Sequence, residues 1–117
     1  MKMNSLVTIT SVMSANRSQT TGKTSFSNEM RPERIGYRLG LLRRALGLQP
    51  AEIADLLGIE RTYWSRTEGG KRAASKELAA LLVERFGVTM DFVILGQWGG
   101  LPLDLATKMR NIENQDS

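Results

Sequence analysis

Residues 47–72, GLQPAEIADLLGIERTYWSRTEGGKR, hold two short helical patterns separated only by Gly58-Ile59-Glu60. The first starts at Pro50, a residue suited to a first helical turn because the N–H it lacks would go unbonded there anyway. It carries Ile53, Ala54 and Leu57 on one face and stops at Gly58. The second begins near Arg61 and ends at Glu68-Gly69-Gly70. A connection this short, with glycine at its bend, forces the second helix to cross the first steeply.

That arrangement is a helix-turn-helix, in which the second helix can project into a DNA major groove while neighbouring helix ends touch phosphates. The flanking sequence is helical too. Upstream, residues 32–46 place Ile35, Leu39, Leu42 and Leu46 on one stripe, closed by Gly47. Downstream, Ser75 is a good N-cap for a helix running through Leu78, Leu81, Leu82 and Phe86 to Gly87. A fifth helix opens at Thr89, with Asp91 favouring its dipole, and closes at Leu95-Gly96. A sixth starts at Pro102, and its stripe is Leu101, Leu105, Met109 and Ile112. No strand-like alternation and no internal repeat appear, so the chain reads as all-α.

Residues 1–30 differ in kind. They are crowded with Ser and Thr, show no sustained period, and read as a disordered tail. Met30 directly precedes the first patterned segment, which leaves a translation start there open beside Met1. The N-terminus does not read as a secretion signal. Its apolar run is broken by Asn, Ser and Thr, and cleavage after Ala15 would put the large Met13 where a small residue is wanted. No stretch approaches the roughly 18 to 20 apolar residues of a membrane span, and the cytoplasm is the default compartment.

The chain of 117 residues has room for one ordinary domain plus a tail. It contains no histidine and no cysteine, which excludes Cys/His zinc sites, disulfides, thiol chemistry and His-based nucleophile systems. Lys and Arg number 16 against 12 Asp and Glu, a balance of +4. The charge is unevenly placed: residues 1–30 carry 3 − 1 = +2, residues 31–72 carry 9 − 5 = +4, and residues 73–117 carry 4 − 6 = −2. The excess lies around the helix-turn-helix, where phosphates would lie.

Over residues 35–96 the sequence resembles the Cro/cI-type helix-turn-helix regulators, the XRE family. The matching residues are Ile35-Gly36, Arg38-Leu39, Gly47-Leu48, Glu52-Ile53-Ala54, Leu57-Gly58-Ile59, Ser65-Arg66, Glu68, Gly70-Lys71-Arg72 and Gly87-Val88-Thr89-Met90-Asp91-Phe92. The resemblance implies a compact five-helix lambda-repressor-like DNA-binding domain over residues 31–97, with a short helical extension over 98–117. It makes 61–68 the recognition helix, with Arg61, Thr62 and Arg66 as base contacts, arginine being able to bond guanine O6 and N7 together. It implies phosphate contacts from Arg43, Arg44, Gln49, Tyr63, Ser65, Lys71 and Arg72. The sequence departs from the family at Pro50, where glutamine is usual. Proline has no amide hydrogen for a phosphate, leaving Gln49 as the substitute. Thr67 replaces a usual aliphatic residue, and Glu60 stands where a Ser or Thr cap is expected.

Plainer roles stand beside these. Arg43 and Arg44 also suit the C-terminal dipole of their helix, Tyr63 either packs or touches phosphate, and Trp64 falls at a position of the recognition helix that the family buries. Gly36 and Gly40 form a small-xxx-small pair, which outside a membrane reads as close helix packing or mere tolerance rather than dimerisation. The segment Thr21-Gly22-Lys23-Thr24 echoes a phosphate-binding loop but has Arg17 where glycine is required. The stripe from Leu101 to Ile112 either packs back on the domain or forms a dimer interface. Together the residues imply a binding protein rather than an enzyme. It would act without metal or cofactor, as a dimeric repressor on double-stranded DNA at a near-palindromic operator. The alternative is an antitoxin or other protein-binding module using the same fold.

Overall fold

The computed structural model describes residues 27–116. Its helices are α1 (Pro32–Ala45), α2 (Pro50–Leu57), α3 (Arg61–Glu68), α4 (Lys76–Phe86), α5 (Met90–Leu95) and α6 (Leu103–Asp116). No strand occurs among the described residues. The described residues are therefore all-α and carry a helix-turn-helix.

Local chemistry sets the helix ends. Pro32 and Pro50 open α1 and α2, and the Gln49 N–H donates to Glu52 Oε1 at 2.7 Å. Ser75 Oγ accepts from Leu78 N, and Thr89 Oγ1 accepts from Phe92 N, each at 3.0 Å. At the turn, Gly58 adopts φ 71°, a left-handed conformation that costs glycine nothing. Its neighbour's amide, Ile59 N, then reaches back to Ala54 O and closes α2.

α1 is the wall against which α3, α5 and α6 pack. Its stripe is buried as the spacing predicts at Ile35, Leu39 and Leu42, with Leu46 partly covered at the end. Ile53 and Ala54 of α2, Trp64 of α3, Leu78 and Leu82 of α4, and Phe92 and Val93 of α5 complete the centre. Each such large apolar chain contributes about 1.5–3 kcal/mol by leaving water. The helix expected as an extension shares this core. Leu101, Leu105 and Met109 are buried, and Ile112 packs against them. Of the two roles open to that stripe, its burial within the chain is the inward one.

Gly36 serves close packing at the crossing of α1 and α3, whereas Gly40 faces only the end of the Glu68 side chain. A Cβ on Gly36 would lie 2.5 Å from Glu68 O and 2.6 Å from Thr67 O. Thr67 is buried where an aliphatic residue was expected. Its hydroxyl is satisfied by donating to Tyr63 O one turn back at 2.8 Å.

Residues 27–29 are helical, and Glu29 is tied to Arg38 of α1, a charged residue only 2% exposed. Arg38 donates to Glu29 Oε1 and Glu29 O, both at 2.6 Å, and to Val93 O and Ile94 O at 2.9 and 3.2 Å. Burial pushes its guanidinium below the ordinary value, against the opposing pull of Glu29. A buried arginine persists only when its donors are met in this way. The rest of the Ser/Thr-rich segment, including Thr21-Gly22-Lys23-Thr24, lies outside the described residues.

Candidate nucleic-acid interface

α3 is only eight residues long, and its two faces are sharply different. Trp64 and Thr67 are buried, whereas Arg61, Thr62, Ser65 and Arg66 are exposed along one side. The inner face is anchored by Glu68. This carboxylate accepts from Trp64 Nε1 at 2.7 Å and from Arg43 Nε and Nη2 at 2.8 and 3.0 Å. Arg43 also donates to Leu48 O at 2.8 Å, so one side chain ties α1 to α3 and to the α1–α2 corner. Arg43 is thus occupied within the fold and only 14% exposed.

Arg44, its neighbour, points outward on α1 and forks onto Asp116 of α6 at 2.8 and 3.1 Å. That bond holds the Asp116 carboxyl below the usual range. Gln49 sits exposed at the start of α2. Tyr63 is half-buried and braces the exit. Its hydroxyl pairs with Ser75 Oγ at 3.0 Å and accepts from Ser75 N at 3.1 Å. The Arg72 guanidinium lies over its ring at 4.7 Å. Between the packing and phosphate roles considered for Tyr63, these contacts supply the packing one.

Arg66, Lys71 and Lys76 are exposed and have no ion-pair partner among the described residues. Lys76, the first residue of α4, adds to the cations predicted from the sequence. Arg61 is exposed at the tip of α3 and is held by Asp55 of α2. Nε donates to Oδ1 at 3.1 Å and Nη2 to Oδ2 at 2.7 Å. These bonds hold the Asp55 carboxyl below the usual carboxylate range. The sequence reading passed over Asp55. Its signal was an acidic residue on the exposed side of α2, with an arginine opening the next helix after a tight turn.

Among the described residues, no group of three or more His, Cys, Asp or Glu could hold a metal ion. No described helix is long and apolar enough to cross a membrane.

A short helix with a buried anchor and an exposed cationic edge, set across a glycine turn from its predecessor, defines a helix-turn-helix domain. Residues 34–91, from α1 into the first turn of α5, match a family model described as a helix-turn-helix domain. No curated protein and no solved structure matches the chain.

Proposed function

We propose that the protein is a sequence-specific DNA-binding regulator of the Cro/cI-type class, acting as a repressor by occupying an operator. The observation that carries this reading is the exposed edge of α3, Arg61-Thr62-Ser65-Arg66, presented on a helix fixed from behind by Trp64 and Glu68. Arg61, Thr62 and Arg66 would read base edges. Ser65, Gln49, Lys71, Arg72 and Lys76 would meet phosphates, and Arg44 would do so on leaving Asp116. Arg43 and Tyr63 instead hold the shape of the surface. A two-fold dimer would set its recognition helices about 34 Å apart and read a near-palindrome.

Binding of genomic fragments to the purified protein at about 150 mM salt, followed by sequencing, tests the proposal. Enrichment of one palindromic motif is the expected result. Recovery of fragments without a common motif, with a second protein co-purifying in fixed ratio, would replace it with the protein-binding alternative.

A further inference from the structure

The grip of Asp55 on Arg61 divides the donors of that arginine into two sets. A guanidinium has five N–H donors in a fixed planar fork. Asp55 occupies the edge formed by Nε and Nη2. The other edge, formed by Nη1 and the second N–H of Nη2, has no partner among the described residues and lies at the exposed start of α3. In the major groove only guanine offers two acceptors, O6 and N7, side by side. Adenine sets a donor beside its N7, cytosine presents a donor, and thymine presents one acceptor and a methyl group.

From this geometry we infer that Asp55 is a specificity-determining positioning residue, holding Arg61 with its free edge set for guanine at one position of each half-site. The inference rests on the DNA-binding reading and deepens it. A free arginine samples many rotamers and can swing to a phosphate. One held by a carboxylate has already lost that freedom before it meets a base. Stability gives little reason for the pair, because both side chains are more than half exposed and such bridges contribute little. The Asp55 charge also repels phosphates. The same residue therefore lowers affinity for DNA of arbitrary sequence while sharpening the choice of base.

The test is selection of binding sites from a randomised duplex pool by the full chain and by Asp55→Asn, Arg61→Ala and Arg61→Lys. Thermal melting of each variant runs alongside. The parent is expected to enrich a motif with guanine at one half-site position, and Arg61→Ala and Arg61→Lys to lose that guanine. Asp55→Asn is expected to melt with the parent, to bind random DNA more tightly, and to reduce the guanine preference at that position about five- to tenfold. The other positions of the motif should stay unchanged.

A position that depends on Arg61 yet keeps its full preference in Asp55→Asn overturns the inference and leaves the DNA-binding reading standing. A uniform loss across all positions with a lowered melting temperature also overturns it, in favour of a brace for the turn. Failure of the parent to enrich any motif removes the DNA-binding reading and this inference together.

Discussion

Gly36→Ala should loosen the seam between α1 and α3. The added Cβ would stand 2.5 and 2.6 Å from two backbone carbonyl oxygens of α3. Backbone cannot rotate away, so the helices must part by about 0.9 Å to bring the shorter distance to the 3.4 Å of an ordinary contact. Overpacking of this kind costs about 1–3 kcal/mol, and rigid obstacles place it in the upper half of that range. Alanine in a helix interior returns about 1 kcal/mol relative to glycine. The net loss is then about 1–2 kcal/mol, or a fall in melting temperature of roughly 5 to 15 °C for a fold of this size.

Gly40→Ala supplies the control. It adds the same methyl group on the same helix, but the nearest atom, at 3.2 Å, is Glu68 Oε2, the end of a side chain. Its stability should lie within about 1 kcal/mol of the parent. Urea unfolding followed by circular dichroism measures both. Equal stabilities for the two variants would refute the claim that Gly36 is required by backbone approach.

Other outcomes follow from the same contacts. Glu68→Ala leaves Arg43 and the Trp64 indole without their shared acceptor and should cost about 2 kcal/mol in urea unfolding, a figure reduced because the pair is not fully buried. Glu68→Gln, which keeps an acceptor for Trp64, should cost less. Arg66→Ala should lose about 1–3 kcal/mol on the preferred DNA site and relax base choice; equal losses on random DNA would remove it from base readout. Lys71→Ala should weaken all sequences alike and flatten the salt dependence by about one unit, and an unchanged slope would remove it from the phosphate contacts. The Tyr37 hydroxyl, partly desolvated and donating to Glu113 at 3.1 Å, is raised above its ordinary value. Being raised, it favours the folded state below the usual phenol range, and that contribution is lost as pH climbs through the folded value. Ultraviolet phenolate titration should show a late phase that Tyr37→Phe abolishes.

Much of the architecture was legible because it is written in local spacing. The α1 stripe, the Ser75 and Thr89 caps and the bend at Gly58 each depend on residues a few positions apart. The long-range charge pairs were not legible in the same way. Arg43 and Arg44 are adjacent and identical in chemistry. The turn of the helix sends the first inward to Glu68, 25 residues away, and the second outward to Asp116, 72 away. Arg38 is a third such case. Its burial depends on Glu29 and on carbonyls of α5, partners that no periodicity in α1 announces. The exposed edge of α3 was anticipated through the family resemblance, which makes 61–68 the recognition helix and buries Trp64 behind it. The restraint on Arg61 was not, because it depends on how α2 and α3 cross.

The two tryptophans make the molecule its own optical gauge. Trp64 is fully buried with its indole hydrogen on Glu68, so its emission should lie toward the blue and follow the seam between α1 and α3. Trp98 stands edge-on to Phe92 at 6.0 Å between ring centroids, with the Arg110 guanidinium 4.3 Å above its ring. Its fluorescence follows the docking of α6. Replacing either one with phenylalanine isolates the other, so peeling of the last helix can be timed separately from opening of the helix-turn-helix.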